Sequence, residues 1–240
     1  MFRNIAMMNM PRNLLLIALV AISLVLPVAT AGAQGGFAQA FAMVSGYQYR
    51  GTRVDIWTAQ QPAGQNPGDF VASPSAICTR TDPDCAAGIS GFFETGYVKG
   101  KVGPVQNQNQ LQQYASYANI GDWVPTGQYG LGNLNDNSWY TFQTLYSNTA
   151  QRWEAWRNGQ LIWYVPSSLN FQSGVQVGCG AEGNPNGITL GVECENMRYK
   201  AVGNNNWIQY DYTYTRTTQG PPKYCVFRRH QFNGVGWGPC

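Results

Sequence analysis

The sequence is poor in charge. Asp, Glu, Lys and Arg make up 11% of its 240 residues, less than half of the roughly 25% usual in soluble domains. With a formal net charge of only +3, it carries no electrostatic footprint for nucleic acid or for anionic lipid. Histidine is scarcer still. The one histidine, His230, sits beside Arg228 and Arg229, and any Ser-His-Asp or Cys-His arrangement would have to use it. No Gly-x-Ser-x-Gly elbow precedes it, so it reads as a surface residue. There is no phosphate-cradling glycine loop. With no Cys-x-x-Cys and a single histidine, no zinc site is expected either. No segment shows sustained helical periodicity.

The N-terminus has a secretory layout. Arg3 and Arg12 precede an uncharged apolar run, Leu14 to Val28, followed by Ala31-Gly32-Ala33. Positive charge, apolar stretch and small-residue site are the three parts of a cleavable signal. The run is short for a bilayer span. Residues 1–33 are therefore expected to be removed before Gln34, and 34–240 to form one domain. Without Arg3 and Arg12, two positive charges fewer, the net charge falls from +3 to +1. No later segment is apolar enough to span a membrane. The six cysteines all follow the leader, and an even count in an exported chain reads as disulfides. They fall in three groups, which predicts the local pairs Cys78–Cys85, Cys179–Cys194 and Cys225–Cys240.

What the chain has in quantity is aromatic residues, 13%, and 28 glycines. β-Branched and aromatic residues alternate in short runs bounded by Gly, Pro or Asn. Strands are predicted over Val54–Thr58, Gly88–Lys99, Trp139–Ser147, Arg152–Arg157, Gln160–Val165, Val175–Glu182, Ile188–Tyr199 and Trp207–Thr217. Asn158-Gly159 supplies the two positive-φ corners of a tight hairpin. Gln61–Asp84 and Val102–Asn137, rich in Pro, Ser, Asn, Gln and Gly, are expected to be irregular. Many short strands without helices predict an all-β, two-sheet antiparallel β-sandwich or a closed barrel.

With histidine, metal and thiol chemistry excluded, carboxylates remain, and the chain has twelve. Asp69, Asp82, Asp84, Asp122 and Asp136 fall in expected loops. Glu94, Glu154, Glu182, Glu193 and Glu195 fall in predicted strands. A glutamate in an apolar strand costs free energy unless it is paired or faces a cleft. Glu94 sits in Phe92-Phe93-Glu94-Thr95-Gly96-Tyr97, and Glu182 in Val177-Gly178-Cys179-Gly180-Ala181-Glu182-Gly183. Glu193 and Glu195 flank Cys194 on one strand face and form a competing acidic pair. On pattern alone, each of these is better explained as an outward residue of a half-exposed strand.

The segment Phe93-Glu94-Thr95-Gly96-Tyr97 resembles the glutamate–small–Gly–aromatic strand of the neprosin family. Gly178-Cys179-Gly180-Ala181-Glu182 resembles that family's later Gly-Gly-Glu strand. Both also resemble strands of the fungal glutamic peptidases called eqolisins, in which a glutamine stands at the first position. Glu94 departs from the eqolisins there, and Val98-Lys99-Gly100 departs from the Pro-rich neprosin signature. The likeness covers about Ala87 to Tyr199. It implies a concanavalin-like jelly roll with both acids on the concave face of one sheet. It also implies acid-active peptide hydrolysis by Glu94 and Glu182 without metal or cofactor, with Glu182 as base and Glu94 as acid or oxyanion donor. The expected protein is then a secreted monomer acting on a peptide or protein substrate. The alternative is a secreted carbohydrate-binding or structural sandwich, since tryptophans and tyrosines stack on sugar rings and carboxylate pairs also serve glycoside hydrolysis. The Glu-x-Asp-x-x-Glu strand of the laminarinase-like enzymes is absent.

Overall fold

A computed structural model describes residues 38–60, 70–80, 90–100, 110–123, 125–128, 130–166, 168–183, 192–211, 214–218, 224–229 and 234–239. The predicted leader and His230 lie outside them. The strands are β1 (Ala38–Trp57), β2 (Phe70–Cys78), β3 (Phe92–Gly100), β4 (Gln112–Ala118), β5 (Thr126–Gln128), β6 (Trp139–Ser147), β7 (Arg152–Arg157), β8 (Gln160–Tyr164), β9 (Gly174–Gly183), β10 (Val192–Ala201), β11 (Ile208–Gln209), β12 (Tyr214–Thr218), β13 (Tyr224–Arg229) and β14 (Gly234–Pro239). They belong to one compact unit, Gly35–Cys240. Among the described residues there is no helix, and so none long and apolar enough to cross a membrane.

All pairings are antiparallel, and β1 organises them. Its first half pairs with β12 on one side and β9 on the other. Its second half pairs with β6 and β10. One strand thus serves two sheets. The first runs β12-β1-β9-β2-β3-β4-β5; the second runs β8-β7-β6-β1-β10-β14-β13, with β11 also on the edge of β10. Register shifts between Ser45 and Tyr49 and between Tyr49 and Gly51 mark the bend, where extra residues turn the strand from one sheet into the other. Gly46, at φ 116°, takes a backbone conformation that glycine adopts at little cost.

The main core lies between the sheets. Ala42, Val44, Ile77, Phe93, Tyr97, Ala115, Val177, Cys179 and Ala181 of the first meet Val54, Ile56, Phe142, Trp153, Ala155, Cys194 and Met197 of the second. Trp153 is its hub. The indole packs on Phe93 and Phe171 at 5.6 and 5.3 Å, and its N–H donates to the Phe171 carbonyl at 3.0 Å, which meets the need of a buried donor. The predicted Cys179–Cys194 bond is present, 6.6 Å between Cα atoms, and joins the two sheets through the core. Cys78 is also disulfide-bonded; Cys85 and Cys240, the expected partners of Cys78 and Cys225, lie outside the described residues. The Asn158-Gly159 hairpin forms as read, with φ of 49° and 79° between Arg157 and Gln160.

Four expectations are corrected. The stretch Gln61–Asp84 contains a buried central strand, β2. Val102–Asn137 contains β4 and β5. The first strand begins at Ala38, not Val54. The stretch Trp207–Thr217 is not one strand: β11 pairs with β10 and β12 with β1. β2 is hidden by Pro74, which has no N–H and ordinarily excludes a central strand. The structure supplies the missing donor. Pro74 is level with Gly180 of β9, and the Ser73 hydroxyl donates to the Gly180 carbonyl at 2.7 Å.

Candidate active site

The first sheet buries both of its faces. Odd residues of β3 and β9 point into the main core, so Glu94 and Glu182 point to the opposite face. There two smaller apolar clusters flank them. Phe41, Met43, Ala76, Cys78, Phe92 and Ala118 form one; Ala72, Val98 and Tyr114, with Phe70, form the other. The register fixes the layout. Ala76 pairs with Glu94 and Ala72 with Glu182, so the two acids lie diagonally across β2. Between them runs a row of small residues, Gly96, Pro74 and Gly180. Gly96 admits nothing larger: a Cβ there would stand 1.9 Å from the Ser73 carbonyl oxygen.

Both glutamates are partly buried, and the two interact. Burial, then the nearby charge of Glu182, push the Glu94 carboxyl well above the usual carboxylate range; a hydrogen bond from the Tyr114 hydroxyl to its Oε1, at 3.2 Å, opposes them. No cation forms an ion pair with Glu94 among the described residues. The arrangement is a carboxyl group held above its usual range beside a second glutamate. Tyr114 completes it. It was missed because it lies in the Gln- and Asn-rich stretch expected to be irregular, in a strand buried on both faces. The Tyr114 strand is itself fixed from the core side, where the Thr95 hydroxyl donates to the Tyr114 carbonyl at 2.6 Å and Gln113 donates to Thr95 Oγ1 at 3.2 Å.

The other acids go elsewhere. Glu193 and Glu195 lie on the outward face of the second sheet, opposite Trp57 and Asp55. Asp55 there accepts from Thr141 at 2.5 Å and from Asn196 at 2.8 Å. Glu154 is buried against Arg152 and the Trp156 indole N–H, both at 3.2 Å. Asp122 accepts from Asn119 in an exposed turn, and Asp136 lies in another. Asp69, Asp82 and Asp84 lie outside the described residues. No group of metal-ligating side chains occurs among the described residues.

Comparison with known proteins finds the fold but no sequence family. A solved scytalido-glutamic peptidase, bound to a transition state analog inhibitor, superposes with a TM-score of 0.52 at 8% identity, covering 86% of this chain and 99% of that one. SCP-B, a member of the eqolisin family of peptidases in a complex with a tripeptide, gives 0.45 at 8% identity over the same shares. A Bacillus licheniformis beta-glucanase gives 0.37 at 13% identity, covering 81% and 68%. No family model matches the chain, and no curated protein matches it in sequence. Identities this low establish a shared β-sandwich architecture and leave activity to be argued from the site.

Proposed function

We propose that this protein is a secreted, acid-active endopeptidase in which Glu94 and Glu182 activate water against a peptide bond. The observation that supports the reading is the pairing of a partly buried Glu94, its pKa raised, with Glu182 on one sheet face, with no cation paired to Glu94 among the described residues. In this reading the ionised Glu182 is the base. As water's oxygen bonds to the substrate carbonyl carbon, its proton passes to Glu182, and the acid form of Glu94 donates a hydrogen bond to the developing oxyanion. The proton on Glu182 then moves to the amide nitrogen, the C–N bond breaks, and the amine departs with both glutamates restored. The chemistry calls on side chains alone. Activity should be lost as pH rises through the raised pKa of Glu94, since an ionised Glu94 cannot donate. The disulfide between Cys179 and Cys194 fits an oxidising compartment, as the leader does.

The test is digestion of casein and of a peptide library across pH by wild type, Glu182→Gln and Glu94→Gln. Cleavage at acid pH, abolished in Glu182→Gln, is expected. Glu94→Gln should retain part of it, because an amide still donates to an oxyanion. Absence of cleavage by wild type at any acid pH overturns the reading and leaves the glycan-binding or structural alternative.

A further inference from the structure

Far from the glutamates, the bend of β1 builds a second feature. Arg50 is the extra residue of the bulge between Tyr49 and Gly51, where the partner strand runs directly from Ala201 to Lys200. A bulge re-aims the side chain it inserts. Arg50 is thereby directed to one end of the sandwich, where it lines a cavity of about 360 Å³ together with Tyr146, Asn148, Gln172, Ser173 and Asn205. The cavity is walled by three separate pieces of chain: the turn after β6, the residues leading into β9, and the turn after β10. Along β9 it lies near Gly174, which pairs with Tyr49, whereas Glu182 pairs with Gln39. The two places are separated by eight residues, about 26 Å of strand.

The charge balance of this cavity is one-sided. Arg50 is only 9% exposed, yet it forms no ion pair with a carboxylate among the described residues. Its guanidinium donates to the Asn205 side-chain oxygen at 2.7 Å and to the Asn204 carbonyl at 3.3 Å, while its buried Nε–H has no acceptor. A second cation stands close by. Lys200 lies over the Trp207 ring at 5.5 Å, and burial and the neighbouring Arg50 charge both lower its pKa. A largely buried arginine ordinarily has a carboxylate or phosphate partner. Here one buried cation lines a polar, amide- and hydroxyl-walled recess with no acid among its described lining residues, and Lys200 stands nearby on the paired strand.

We propose that this recess binds the carboxylate of a small polar molecule, with Arg50 holding the anion, Lys200 adding long-range attraction, and the Asn148, Gln172 and Ser173 side chains hydrogen-bonding the rest of the ligand. The shared chemistry is a carboxylate on a hydroxyl- or amide-bearing body of roughly the size of a monosaccharide or dipeptide. The free C-terminus of a short peptide and a uronic acid both meet it. The proposal is independent of the activity assigned to Glu94 and Glu182.

Isothermal titration of the whole protein tests it, with four probes: an acetylated dipeptide with a free C-terminus, the same dipeptide as its amide, glucuronate and glucose. Binding of one or both carboxylates with the neutral counterparts at least about tenfold weaker is expected, and which carboxylate binds names the source. In Arg50→Gln, affinity should fall by about tenfold or more, the usual effect of removing a charge-assisted hydrogen bond. Lys200→Gln, a change outside the bulge, should weaken binding by about two- to fivefold and reduce its dependence on salt; it keeps the test open if Arg50→Gln fails to fold. Failure of both carboxylates to bind wild type, equal binding of acid and neutral partner, or unchanged affinity in a folded Arg50→Gln overturns the proposal.

Discussion

Each sheet carries a glutamate within a buried strand, and the two are accommodated in opposite ways. Glu154 in the second sheet is gripped by Arg152 and the Trp156 indole, and Arg152 in turn lies 3.7 Å over the Tyr164 ring. Every charge there has its complement, and the group is a structural ion pair. Glu94 in the first sheet has a tyrosine hydroxyl and another glutamate. What separates the two is the neighbour: a cation holds Glu154, whereas a like charge stands beside Glu94.

That contrast can be broken most directly at Glu182. Glu182→Gln should lower the rate of peptide cleavage by about 10³-fold, within the range for a general base, while circular dichroism shows the fold intact. Glu154→Gln should leave cleavage at wild-type rates and instead lower stability, because it removes the charge that holds a half-exposed Arg152 against the sheet; equal losses of activity in the two variants would erase the distinction.

A second effect concerns the ground on which the pair stands. Gly96→Ala forces a methyl against the Ser73 carbonyl and should destabilise by about 1–3 kcal/mol. Ser73→Ala strands the Gly180 carbonyl opposite Pro74, with a cost of about 1–3 kcal/mol. Both are read as midpoint shifts in urea; unchanged midpoints would mean that the Pro74 strand is held otherwise.

The pH dependence of stability sharpens the comparison further. Glu94 has a folded pKa raised above its ordinary value of 4.5, so the folded state holds this proton more tightly than the unfolded state. The contribution is fully present below 4.5 and is lost as pH rises through the raised value. Thermal unfolding of wild type should therefore weaken over that window, and Glu94→Gln, which has no proton to lose, should flatten the profile and melt higher at neutral pH. A Glu94→Gln profile parallel to wild type would show that Glu94 is not the group responsible.

The smallest effect is expected at Tyr114. Its hydroxyl favours the ionised form of Glu94, so Tyr114→Phe should push the Glu94 pKa further up. The alkaline limb of activity should then move to higher pH with little change in maximal rate; a shift to lower pH would reverse the assigned role of the hydrogen bond.

The all-β architecture was legible because alternation survives wherever one face of a strand is apolar and the other polar, as in β6, β7 and β8. Glu94 and Glu182 were legible as candidates because acids are rare in such strands. What was illegible shares one physical cause. β2 and β4 are buried on both faces, and there small residues and buried polar groups replace alternation: Ser73, Ser75, Gln113 and Ser116 are all buried. Pro74 reads as a breaker until the Ser73 hydroxyl is seen to stand in for its missing N–H. The first half of β1 was overlooked because its Ala, Phe and Met residues gain meaning only from strands more than 130 positions away. The diagonal placement of the two acids depends on the register of β2, whose sequence reads as a loop.

The sharing of β1 has a consequence for how the chain is made. The strand emerges first, yet the nearest of its described partners in sequence begins at Trp139, and β9, β10 and β12 come later still. Neither sheet can close until most of the polypeptide is present. Contacts so distant in sequence make folding slow, and during synthesis an apolar strand waits with both edges open, exposed to aggregation. A protein built this way gains from being kept unfolded until the last strands arrive, and from a bond such as Cys179–Cys194 that ties the two sheets together once formed.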